Sequence, residues 1–69
     1  MTTKAALRAR ILELVPWDRY VAASDVVATL SAFPNSAVWS QIVTLAIEKM
    51  IIAENPGRYD GHAMIRRTA

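Results

Sequence analysis

The sequence predicts one small, mainly helical domain that closes on a β-hairpin. Three observations carry that prediction. Apolar residues recur at helical spacing in three separate segments. A short extended stretch, residues 20–22, lies between the first two of them. The last quarter of the chain, "NPGRYDGHAMIRR" at residues 55–67, then turns basic and is broken by Pro56-Gly57 and Asp60-Gly61, both turn dipeptides.

The first helix is expected from about residue 4 to residue 15, with Thr2 or Thr3 as its cap and Pro16 as its stop. Leu7, Ile11, Leu14 and Val15 form its apolar stripe. Arg8 and Arg10 flank the stripe, where their stems lie on apolar surface and their heads reach water. Ala5, Ala9 and Leu12 make a second, weaker stripe. After the turn at Pro16 and Trp17 comes the extended piece, followed by a short helix in "DVVATLSA" that buries Val26, Val27 and Leu30. Ser24 is its expected N-cap, and Asp25 suits the positive end of the helix. Pro34 restricts Phe33 to extended backbone, and Asn35 or Ser36 is expected to cap the next helix.

The third helix, about residues 37 to 50, is the most informative segment. Val38, Trp39, Ile42, Val43, Leu45, Ala46, Ile47 and Met50 sweep an apolar arc of roughly 200° on the helical wheel. The remaining face holds Ala37, Ser40, Gln41, Thr44 and Glu48. "IIAEN" and "MIRR" read as the two strands of the hairpin, with Ile52 and Met64 or Ile65 packing it onto the helices. The expected core is Leu7, Ile11, Leu14, Val26, Leu30, Trp39, Ile42, Val43, Ala46 and Ile52, and the position of Trp17 also suggests core.

Composition bounds the rest. At 69 residues there is room for a single domain, 1–69, and one small core. A chain of this size buries only about 60% of its unfolded surface. Its hydrophobic fraction is nonetheless 54%, inflated by twelve alanines. Surplus apolar surface points to self-contact, with a symmetric dimer expected, or to a partner. There is no cysteine, which removes disulfides and thiolate metal sites and fits a cytoplasmic location. No apolar run is long enough to span a bilayer, so no membrane partner is expected. Lys4, Arg8 and Arg10 precede the first acid, Glu13, a bias shared with transit peptides. Removing that segment would take a fifth of a minimal domain, so it reads as a structural helix. A net charge of +2 permits an anionic partner without demanding one.

Helix, short strand, helix, tight turn, third helix and C-terminal hairpin: that order resembles the winged helix-turn-helix superfamily over nearly the whole chain. "VAASDVVATL" is similar to the extended piece and first helix of the helix-turn-helix. "NSAVWSQIVTLAIEKMII" resembles its recognition helix, and "AENPGRYDGHAMIRR" its wing. One position departs from the pattern. Many members have glycine between the recognition helix and the first wing strand, where this chain has Met50, so the exit geometry of the helix is left open.

The resemblance implies a small DNA-binding transcriptional regulator of bacterial, phage or mobile-element type that binds double-stranded DNA as a dimer. It carries Ser36, Ala37, Ser40, Gln41 and Thr44 into the major groove, with Gln41 suited to adenine and the Thr44 methyl to thymine. It lays Arg58, Arg66 and Arg67 along the phosphate backbone, where each arginine adds to the salt dependence of binding, and leaves Tyr59 either to stack on a base or a partner side chain or to cover the base of the hairpin. Read structurally, the same helix strip is a solvated face and the same arginines are solubilising charge. The strip lacks lysine and arginine and includes Glu48, which repels phosphate. That favours an alternative of another class: a winged-helix module that binds protein, such as a phage-encoded inhibitor of a host complex of the anti-CRISPR kind.

Enzymatic chemistry has little to work with. His62 is the sole histidine, so neither a zinc site nor a catalytic triad assembles within one chain. There is no glycine-rich phosphate loop. No enzyme activity, metal or cofactor is expected.

Overall fold

The computed structural model describes residues 3–55 and 61–68. In chain order the elements are α1 (Thr3–Leu14), β1 (Val21–Ala22), α2 (Ala23–Thr29), α3 (Asn35–Ile47), β2 (Ile51–Ala53) and β3 (Met64–Arg67). Three helices and a three-stranded antiparallel sheet thus form a small α-plus-β domain. Its radius of gyration is 10.7 Å, against about 11 Å expected for a folded chain of this length.

The expected hairpin is present, and a third strand joins it. Strand order is β1-β3-β2, with Ile52 opposite Arg66 on one side of β3 and Val21 opposite Ile65 on the other. Single hydrogen bonds fasten the helical layer to this sheet. The Ala23 amide donates to the Ala63 carbonyl at 2.9 Å, and the Arg67 amide donates to the Pro16 carbonyl at 2.8 Å. Pro16 therefore ends α1 and also holds the last strand.

Two helix starts differ from expectation for one physical reason. α2 begins at Ala23 with Ala22 as N-cap, and α3 begins at Asn35 with Pro34 as N-cap; neither has a side-chain cap. Residues already fixed in extended backbone, Ala22 at ψ 126° and Pro34 at ψ 139°, supply the half-in position. The helix then starts at the next residue, so Ser24, Asn35 and Ser36 fall inside the first turn and are exposed.

The core runs from α1 through α3 to the sheet. Leu7, Ile11 and Val15 meet Val38, Ile42 and Leu45, with Val26, Val27 and Leu30 from α2 and Ile51 and Ile65 from the sheet. Leu7, Ile11, Val26, Leu30 and Ile42 are buried as expected. Leu14, Trp39 and Ala46 pack against this cluster only in part, and Ile52 is half-buried. Val43 is 39% exposed and Trp17 60% exposed, so neither belongs to the core. Their places are taken by Val38, Leu45 and Ile51.

Candidate functional site

α3 crosses the core along the stripe Val38, Gln41, Ile42 and Leu45. The opposite ridge is Ser36, Ser40, Val43 and Ile47, spaced four, three and four residues apart, so these side chains line one side of the helix. Ser36 and Ser40 are exposed, and so is Ile47, at 76%. The ridge is polar in its first half and apolar in its second, where Val43 and Ile47 are followed by Met50 at 41% exposure. No acidic residue occupies the first turn.

This arrangement redistributes the expected contact residues. Ser36 and Ser40 face outward. Ala37 is half-buried. Thr44 is half-buried, and its hydroxyl donates to the Ser40 carbonyl at 2.9 Å. Gln41 is only 6% exposed, so its assignment to an outward base-reading face is corrected. The spacing already carried the signal, since Gln41 lies three residues after Val38 and four before Leu45.

The arginines divide similarly. Arg58 and Tyr59 lie outside the described residues. Arg66 and Arg67 are both half-buried on β3. Arg66 Nη1 donates to the Trp17 carbonyl at 3.2 Å, and its guanidinium carbon lies 5.4 Å from the centroid of the Tyr20 ring. Arg67 buries its Nε without a hydrogen-bond partner.

Glu48 is not a bare negative charge beside the α3 ridge. Arg8 of α1 donates to its carboxylate and pairs with it. The hydrogen bond from Arg8 holds the Glu48 carboxyl below its ordinary pKa, with the charges of Arg8 and Lys4 acting in the same direction against partial desolvation. The same bond raises Arg8. The objection that this acid repels phosphate is thereby weakened.

Beside the ridge, between the start of α1, the α2–α3 turn and α3, lies an open cleft of about 340 Å³. Lys4, Leu7, Phe33, Pro34, Ala37, Ser40 and Gln41 line it. Sequence periodicity gave no hint of this cleft, because it joins segments thirty residues apart. No group of three metal-binding side chains is present among the described residues, and no described helix is long and apolar enough to cross a membrane. No family model, curated protein or solved structure matches the chain.

Proposed function

We propose that the chain is a non-enzymatic, winged helix-turn-helix DNA-binding module, acting as a transcriptional regulator, in which the first half of the α3 ridge enters the major groove. The observation that carries this reading is the outward ridge itself. Asn35, Ser36 and Ser40 are exposed, uncharged hydrogen-bonding side chains at a helix start that has no side-chain cap. Such an end attracts phosphate through its free amides and dipole. Ser36 and Ser40 suit base edges, and Val43 replaces Thr44 as the methyl donor to thymine. Arg58, which lies between β2 and β3 in the sequence, supplies the phosphate contact expected of a wing, and Lys4 of α1 and Lys49 just after α3 add positive charge.

The test is titration of two unrelated duplexes at several salt concentrations. The reading expects log affinity to fall linearly with log salt. It also expects Ser40→Ala to alter sequence preference while leaving the slope unchanged. Wild-type protein with no salt-dependent binding would overturn it.

A second reading rests on the other half of the same ridge. Val43, Ile47 and Met50 place exposed apolar surface on a domain with little interior, which suits a protein partner or a second copy of this chain. Flat duplex titrations together with a complex that Ile47→Lys disrupts would select this reading.

A further inference from the structure

We infer that the outer face of the sheet is the interface of a symmetric dimer, in which Arg66 of each copy pairs with Glu54 of the other. Side chains alternate across a strand, so the register sorts the sheet into two faces. Ile51, Ala53 and Ile65 are buried on the inner face, where all three helices meet the core. Ile52, Met64 and Arg66 belong to the outer face, with Tyr20 beside Arg66. Glu54 extends the same row, since its amide continues the ladder by donating to the Met64 carbonyl at 2.8 Å. Ile52 and Met64 are half-buried yet take no part in packing against the core. The helices occupy the inner face, so among the described elements none remains to cover the outer one.

The occupant follows from charge and symmetry. Arg66 donates to the carbonyls of Trp17 and Arg67 and lies over the Tyr20 ring, but no described acid balances its charge. Glu54 is exposed and pairs with no described cation. The two charges lie toward opposite edges of the face. Arg66 is drawn to the β1 side, Glu54 follows β2, and β3 runs between them. A twofold axis in the interface plane, close to β3, lays the β1 edge of one copy over the β2 edge of the other. It brings each Arg66 to Glu54 of the second copy, with the two Met64 side chains near the axis. A twofold interface must be self-complementary in this way. An acidic peptide would answer Arg66 and leave Glu54 unmatched, and a nucleic acid would be repelled by Glu54. Trp17, 60% exposed beside Arg66, adds aromatic surface at the edge.

Three short strands make a small patch, so the association belongs to the weak class, with a midpoint on the order of 100 μM. The experiment is sedimentation of the full chain at concentrations up to about 1 mM, with circular dichroism reporting whether each variant folds. Wild type is expected to form a dimer that high salt weakens. Glu54→Arg and Arg66→Glu each set like charges face to face, and each alone should weaken association at least about tenfold. An equimolar mixture of the two should associate as wild type does, because one copy then brings both arginines and the other both glutamates. Arg66→Glu also loses its contacts with Trp17 and Tyr20. If that variant unfolds, Glu54→Arg and Met64→Lys carry the test, and both should be monomeric. α3 packs on the inner face and no nucleic acid is involved, so the outcome is independent of DNA binding, and Ile47→Lys should leave the dimer intact. A monomeric wild type at about 1 mM, a dimer that survives Glu54→Arg or Met64→Lys, folded charge-swapped variants that fail to associate when mixed, or a dimer abolished by Ile47→Lys would overturn the inference.

Discussion

The Met50 amide donates to the Leu45 carbonyl at 2.9 Å, closing α3 over Lys49, whose own amide donates to the Ala46 carbonyl at 3.0 Å. Together these bonds form the paired helix-ending motif that ordinarily has glycine at its left-handed position. Here that residue is Lys49, with φ at 62°. The methionine that stands where related patterns have glycine therefore escapes the positive φ, which falls one residue earlier. The C-terminal end of the sheet secures the turn. The Thr68 hydroxyl donates to the Lys49 carbonyl at 2.9 Å, and the Thr68 amide donates to the Met50 carbonyl at 3.1 Å.

A testable consequence concerns Lys49 itself. A side chain in left-handed backbone costs roughly 1–2 kcal/mol, part of which glycine gives back through a more flexible unfolded chain. Lys49→Gly is expected to stabilise the domain by about 0.5–1 kcal/mol, and Lys49→Val to destabilise it. In a domain this small the glycine variant should raise Tm by about 2–8 °C. A lower Tm for the glycine variant would show that the lysine side chain contributes more than its backbone strain costs.

The two sides of α3 give a second prediction. Ile42 is fully buried and Ile47 is 76% exposed, although both belong to the same apolar arc of the sequence. Ile42→Ala should cost about 2–5 kcal/mol. Ile47→Ser should change stability by less than about 0.5 kcal/mol. Chemical denaturation of the two variants checks this, and equal losses would place Ile47 in the core. Sedimentation of Ile47→Ser beside wild type also asks whether the apolar ridge joins two copies.

That arc shows where the sequence was legible. The order of elements, the hairpin at β2 and β3, and the core roles of Leu7, Ile11, Val26, Leu30 and Ile42 followed from spacing and turn residues. The depth of α3 did not. A wide apolar arc reads as all-round burial, but so short a chain has too few elements to cover it, and Val43 and Ile47 remain outside. The same geometry turns the polar Gln41 inward. Composition is also silent about the direction of an arginine. Arg66 looked like a free charge on a wing because its partners, Trp17 and Tyr20, lie more than forty residues away.

Arg66 accordingly carries a prediction different from that of a phosphate contact. Losing its bond to the Trp17 carbonyl and its contact with the Tyr20 ring should destabilise Arg66→Ala by about 1–2 kcal/mol. If DNA is bound, the salt slope of that variant should match wild type at temperatures where both are folded. Arg58→Ala, by contrast, should lower the slope by about one unit. A drop of that size for Arg66→Ala, with unchanged stability, would return Arg66 to the phosphate backbone.

The pairing of Arg8 with Glu48 sets the last prediction, the response of stability to acid. Glu48 has its folded pKa lowered, first by the hydrogen bond from Arg8 and then by the charges of Arg8 and Lys4. A depressed carboxyl stabilises the fold fully above its unfolded pKa, and the contribution is lost as pH falls from there through the folded value. Arg8, raised by the same bond, loses its share only in alkali beyond the ordinary arginine range. The working window is therefore on the acid side, below the usual glutamate pKa. Tm measured against pH should show a gap between wild type and Arg8→Gln at neutral pH that closes in this window. High salt should shrink the neutral-pH gap, because the pair is partly exposed. Glu48→Gln should show the same gap at neutral pH, and the double variant should lose little beyond either single one. A gap that stays constant from neutral pH into acid would mean that Arg8 supports α3 through the packing of its stem rather than through its charge.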